Sequence, residues 1–567
     1  MHGVRIFFTT LILLITTLAH SQQKLRGWHL LDFNNDNLNG ISLAKAYSFL
    51  KENKSKPVIV AVIDSGIDTT HEDLKNMLWQ NQKEIAGNGI DDDGNGYIDD
   101  IHGWNFLGGR DGRNVAKASR EASRIYHSYK NKFSGKFLNV DALPEDEKAL
   151  YNLWKQASEI VEVKREDKEE SMILDMAYRA ARKNEKVLKG EIKKEEFTIE
   201  EVEKFVPVTQ QGRKAKYAYL TFVKIFDLDN SETNTTIFSE LLSAIDEKRE
   251  IISQKHTPPS DDRGVIVKDN YTNINDRFYG NNDVMGPTPL HGTHVCGIIG
   301  AQRDNGVGIE GIADNVRLMI LRAVPDGDEY DKDIALAIRY AVDNGAKIIN
   351  MSFGKEISPQ KHWVDEAVKY AETKDVLIVH AAGNEAEDND SIISFPNPEL
   401  TTLRAKASNF ITVGASTDPA INNDYVAEFS NYGKKTVDVF APGVKIFSTV
   451  PGRNAYRFEE GTSMAAPVVA GVAALIRSYY PQLTAKQVKY VITRSVNVPD
   501  SSLKVTKPGS KQKVPFSLLC SSGGWVNAYN AVKLASNLAE ERKELPKKEI
   551  KKETLPKSTF QNPLIKQ

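Results

Sequence analysis

The stretch GTSMAAP at residues 461–467, continued by VVAGVAALI at 468–476, decides how this chain is read. A hydroxyl among small residues, four positions before a proline and at the head of an Ala/Val/Gly run, places Ser463 at the start of a buried helix. Helix starts carry unpaired N–H groups and the positive end of the macrodipole, so an oxygen at Ser463 would be favoured in its charged form. A small-residue helix packed closely on a sheet fits the same letters. Other parts of the chain have to decide between the two.

Working outward, the surrounding sequence alternates between two periods. Val58 to Ile63 is a continuous apolar, β-branched run, the pattern of a parallel strand covered on both faces, and it ends in Asp64-Ser65-Gly66. Open α/β sheets place functional groups at such carboxyl ends. HGTHVCGIIGA from His291 reads as another helix start. Strands are then expected at 318–323, 347–351 and 376–380, with helices at 331–344 and 363–372 between them; further strands are expected at 410–414 and 437–440, and helices at 484–494 and 526–538. Strand–helix–strand repetition implies a parallel sheet with helices on both faces and right-handed crossovers.

Three motifs now stand in the order Asp, His, Ser. VIDSGID with HEDL, HGTHVCG and GTSMAAP resemble the active-site signatures of the subtilisin-like serine peptidases, and AAGN at 381–384 resembles that family's oxyanion element. The resemblance covers about residues 22–109 and 275–535 and implies an α/β, three-layer αβα fold with a mostly parallel sheet. It further implies Ser463 as nucleophile, His291 as general base and acid, Asp64 as the carboxylate orienting the imidazole, and Asn384 as an oxyanion donor. The chemistry agrees: a serine hydroxyl is a weak nucleophile until a histidine accepts its proton, and the histidine needs a carboxylate to fix its tautomer. Ser352-Phe353-Gly354 is similar to the segment that pairs with an extended peptide substrate as an added strand. His294, three residues into the same helix as His291, is expected to be structural. The function implied is a secreted serine endopeptidase; a narrow-specificity processing protease and a catalytically silent binding protein on the same scaffold are the alternatives.

The loop NGIDDDGNGYIDD at 88–100 carries a separate pattern. Asp91, Asp93 and Asn95 alternate, Gly96 follows at the sixth position, then Tyr97 and Asp99, which matches the first part of an EF-hand-type calcium loop. His102 stands where that loop would have its glutamate, so an EF-hand as such is not expected, but a structural Ca2+ is. A second calcium site is suggested by the resemblance, with Asp73 of HEDL and Asp304 or Asn305 from the loop 303–308 as its oxygens.

The bulk composition sets limits on partners and compartment. With 74 basic and 76 acidic residues in 567, nothing favours nucleic acid or an anionic membrane. Residues 1–21 (Arg5, an apolar run from Ile6 to Leu18, then Ala19-His20-Ser21) read as a secretory signal, so an exported protein, extracellular or periplasmic, without stable membrane insertion is expected. The two cysteines, Cys296 and Cys520, are expected as separate buried thiols. The composition turns charged and helical between Asp64 and His291, which stand 227 residues apart. The expected organisation is therefore signal 1–21, catalytic domain 22–112 and 275–539, helical insertion 113–274, and charged tail 540–567. Polypeptides are the expected partners. Only about 36 residues separate the signal from the first strand, too few for a folded inhibitory propeptide, so the insertion is a candidate to assist folding or shield the cleft.

Overall fold

The computed structural model describes residues 25–544, except 136–138, 227, 229 and 231. The predicted signal segment and the tail beyond residue 544 lie outside the described residues.

Seven strands form one parallel sheet: β1 (Val58–Asp64), β2 (Gly103–Asn105), β3 (Val316–Arg322), β4 (Ile348–Met351), β5 (Leu377–Ala381), β6 (Phe410–Ser416) and β7 (Val439–Pro442), in the order β2-β3-β1-β4-β5-β6-β7. In register, Asp64 lies opposite Arg322 and Val60 opposite Ile348. Alternate side chains serve opposite cores. Val58, Val60 and Val62 belong to one apolar cluster with Leu318 and Ile320, while Ala61 and Ile63 join a second with Met319 and Leu321. Burying each of the larger side chains contributes about 1.5–3 kcal/mol, and both faces need helices to cover them.

The insertion supplies α1 (Glu121–Phe133), α2 (Glu145–Ile160), α3 (Arg165–Ile192), α4 (Gln210–Ile225) and α5 (Asn234–Ser253). The sheet is covered by α6 (Leu290–Gly300), α7 (Asp331–Asp343), α8 (Lys361–Thr373) and α9 (Thr462–Tyr479). Among the described residues only α9 is long and apolar enough to cross a membrane, and it is the central helix of the first core, almost wholly buried. Helices α3 to α5 hold their own core of Leu188, Phe197, Tyr219 and Ile237, whereas α1 and α2 pack through Ile125, Ala157 and Val161 on Ile357 of the main domain.

Several details differ from the sequence expectation. The helical pattern over 149–189 is broken between Ile160 and Arg165, where Val161 turns into a buried contact and the Asp167 carboxylate accepts the Lys164 N–H at 3.3 Å. At the end of the expected insertion, residues 263–274 pack on the main core: Arg263 donates to Asp333 at 2.5 and 2.8 Å, and both are buried. The closing helix runs Ala528–Glu544, so the charged tail begins as helix. The short strand β2 and a hairpin, Ile446–Val450 with Ala455–Glu459, were not foreseen. Cys296 and Cys520 are buried and unpaired with each other.

Candidate active site

Asp64 ends β1 with its side chain buried. The first turn of α6 presses directly against this strand end, because a Cβ on Gly292 would stand 2.1 Å from the Gly66 carbonyl oxygen and 3.2 Å from Asp64 Oδ1. The approach brings His291 Nδ1 to 2.8 Å from Asp64 Oδ1, which also accepts the Ser65 N–H at 2.7 Å. Burial pulls the His291 pKa down, but the Asp64 charge and hydrogen bond more than offset it, and Glu459 adds to them; the net result is a pKa raised above the ordinary 6.5. The imidazole keeps 37% of its side-chain surface exposed, so it faces the cleft. His294 is different: fully buried, its Nε2 lies 3.2 Å from the Arg457 carbonyl oxygen, and burial holds its pKa down to about 3.

Ser463 is the second residue of α9. The turn into the helix needs Gly461, whose φ is +147°. Asn384 Oδ1 accepts both the Thr462 N–H at 2.8 Å and the Thr462 hydroxyl at 2.9 Å. That fixes the amide and leaves Nδ2 for a ligand. The point where a Gly461 Cβ would sit lies 3.6 Å from Asn384 Nδ2 and 3.6 Å from the Ser463 nitrogen, so the two groups are close neighbours at the helix start. Pro467 lacks the N–H that would bond the Ser463 carbonyl four residues back. The Ser352 hydroxyl takes that place, donating to Ser463 O at 3.0 Å, while Ser463 Oγ donates to Ser352 O at 3.2 Å. The two serines therefore brace each other across the cleft floor. Among the described residues no hydrogen bond joins Ser463 to His291; catalytic hydrogen bonds are commonly loose without substrate.

Ser352, Phe353 and Gly354 leave the carboxyl end of β4, with Gly354 exposed and the Phe353 carbonyl 2.8 Å from Nε2 of buried His380. A pocket of ≈ 210 Å³ opens beside them, bordered by Ser463, Thr462 and Asn384.

A sequence model of the subtilase family matches residues 55–518. The chain belongs to the subtilase family. Over 190 residues this subtilase is 44% identical to a thermophilic serine proteinase of Bacillus sp. (strain AK1), covering 33% of this chain and 42% of the relative. It is 35% identical to subtilisin-like protease 2 of Plasmodium falciparum over 38% of this chain and 17% of that protein, and 38% identical to subtilisin DY of Bacillus licheniformis over 35% of this chain and 67% of that one. The match thus spans less than half the length of the first two relatives.

The acidic loop is only partly as expected. Asp91 and Asp93 do converge, together with Glu84, within 4.8 Å of one another. Asn95 instead turns its Oδ1 to the Tyr97 N–H at 2.8 Å and donates to Asp100 at 2.9 Å. The Tyr97 ring is buried against Trp104 and Tyr340. Asp99, at φ +54°, caps the N–H groups of Gly87, Asn88 and Gly89. The chain also curls back on Glu84, which lies outside the motif and carries no sequence signal. Backbone N–H groups of Asp92, Asp93, Asn95, Gly96 and Asp99 and the Asn81 amide donate to these oxygens, and every one but Glu84 Oε1, which accepts twice, keeps a further lone pair. Three carboxylates so close form an all-oxygen set, and among the described residues the exposed Lys83, 3.9 Å from Asp93, is the one cation paired with them; a hard divalent cation fits them. The second expected site needs correction. Asn305, not Asp304, reaches Asp73, donating at 2.6 Å; the Ile309 N–H and Tyr456 hydroxyl donate to the other oxygen at 3.0 and 3.1 Å. Asp304 is exposed. Both Asp73 oxygens accept from protein donors, and Asp304 takes no part in that network.

Proposed function

We propose that this subtilase is an exported serine endopeptidase, and the observation that carries the reading is the 2.8 Å pairing of Asp64 with His291 beside a serine at the head of a buried helix. The printed names of its relatives, a serine proteinase and subtilisins, point the same way. An extended peptide lies along Ser352–Gly354 and places its scissile carbonyl at Ser463. Ser463 Oγ rotates from the Ser352 carbonyl and attacks while His291 Nε2 takes its proton, and Asp64 Oδ1 holds the Nδ1–H and stabilises the imidazolium. Negative charge gathers on the carbonyl oxygen in the space faced by the Ser463 N–H and Asn384 Nδ2. The tetrahedral intermediate collapses as His291 passes its proton to the leaving amine, giving an acyl-enzyme on Ser463. Water, deprotonated by the same imidazole, releases the acid.

Glu84, Asp91 and Asp93 would hold a calcium ion, which when bound offsets their mutual repulsion and pins the loop. Export rests on the pattern of residues 1–21. The test is labelling of purified protein by a fluorophosphonate probe. Labelling that vanishes in Ser463→Ala and His291→Ala supports the reading; a folded protein that no such probe modifies refutes it.

A further inference from the structure

The ≈ 210 Å³ pocket beside Ser463 has an uneven charge balance. Its walls include Arg120 and Lys355 as the basic residues, against Asp328, Glu356, Glu385 and Glu387. Both cations are already matched. Lys355 is buried and donates to Glu121 and bonds Asp331, each at 2.9 Å, and neither partner lines the pocket. Arg120, just ahead of the insertion's first helix, pairs with Glu356 at 3.4 Å. Asp328 is spent on the Glu121 N–H at 2.7 Å. Glu385 accepts a neutral amide, Asn431 Nδ2, at 2.7 Å. The half-buried Glu387 carboxylate has no hydrogen-bond or ion-pair partner among the described residues; its pKa is raised by burial and by the nearby Glu385 and Glu356 charges, which outweigh the opposing charge of Lys164. Phe353, Ile392 and Ile393 supply apolar wall alongside. Apolar walls leading to Glu385 and Glu387, which no cation pairs directly, suit one kind of side chain: an aliphatic stem with a charged head.

We propose that this pocket takes a lysine or arginine side chain from the substrate residue that donates the scissile carbonyl, with Glu387, assisted by Glu385, as the specificity-determining carboxylate. The proposal rests on the active-site reading above, since the pocket matters to cleavage only if Ser463 is the nucleophile. The insertion shares in it: Arg120 neutralises Glu356, which leaves the two glutamates that follow Asn384 as the attractive charge.

The experiment compares kcat/KM for peptide anilides that differ only in that residue (Lys, Arg, Leu, Phe, Glu), in the wild-type full chain, Glu387→Gln and Glu385→Gln, with fluorophosphonate labelling of each variant as a check that the site is assembled. The expected result is at least a 10-fold preference for Lys and Arg over Leu and Phe, Glu the poorest, and a fall of at least 10-fold in the Lys:Leu ratio in Glu387→Gln, with a smaller fall in Glu385→Gln. Ser463-dependent labelling with Leu or Phe preferred, or a Lys:Leu ratio untouched in both labelled variants, overturns the pocket assignment and spares the protease. Absence of labelling in wild type overturns both.

Discussion

Replacing Ser352 by alanine should loosen the nucleophile without touching the triad. In the structure its hydroxyl supplies the hydrogen bond that Pro467 denies the Ser463 carbonyl, at 3.0 Å, and accepts the Nδ2 of fully buried Asn350, also at 3.0 Å. Ser352→Ala orphans both groups. An unsatisfied buried polar group costs about 1–3 kcal/mol, so the pair comes to about 2–6 kcal/mol, less where water enters from the cleft. Spread over a large domain this is a drop of roughly 4–24 °C in the melting temperature, at about 2–4 °C per kcal/mol. The discriminating step is a second substitution. Pro467→Ala restores an N–H four residues beyond Ser463, so in the Ser352→Ala background it should recover about 1 kcal/mol or more. In the wild-type background the same change should gain much less, because the carbonyl already has a partner. Melting temperatures and fluorophosphonate labelling rates of the four proteins close a double-mutant cycle. Strict additivity of the two changes would show that Ser352 does not stand in for the missing N–H, and the account of the cleft floor would be wrong.

Other perturbations read other parts of the site. Asn384→Ala should lower kcat by about 10²–10³ with little change in KM, the usual cost of losing one oxyanion donor; steady-state kinetics on any cleaved peptide checks it, and a KM effect alone contradicts the oxyanion role. The raised His291 pKa puts the acid limb of kcat/KM above pH 6.5, since only the neutral imidazole is a base, and Asp64→Asn should move that limb down, because burial is then opposed only by the Glu459 charge. His294 is held neutral to about pH 3, and His29 and His380 to about pH 4, below the unfolded 6.5. Their unfolded forms therefore bind more protons below pH 6.5, and stability falls as pH falls, by about 2 kcal/mol per buried histidine at pH 5. Thermal melts from pH 7 to 5 measure the slope, which His294→Gln should flatten. Chelation or Glu84→Gln should lower the melting temperature and expose the 84–99 loop to proteolysis; melts unchanged by chelator and by added Ca2+ would count against an ion there.

What the sequence made legible is what a few consecutive residues decide. A β-branched run ending in Asp64, a glycine beside His291 and a small-residue run after Ser463 each define their own strand end or helix start, and the sheet then brings those ends together. The calcium loop was legible only in part, for the opposite reason. Its spacing matches a template, but the ligand set depends on where the chain returns, and Glu84 enters through a curl that also turns Asp99 onto three backbone amides. The buried Arg263–Asp333 pair was out of reach for the same reason, since its two residues stand 70 apart in the chain. The pocket beside Ser463 combines both cases. Glu385 and Glu387 sit one and three residues past Asn384 and could be named from the motif alone. Their selectivity depends on Arg120 and Lys355, which lie far off in sequence and are neutralised by still other residues. Cleavage chemistry in this chain is thus written locally. Specificity is a balance of charges that only the folded cleft, with the insertion packed against it, brings into contact.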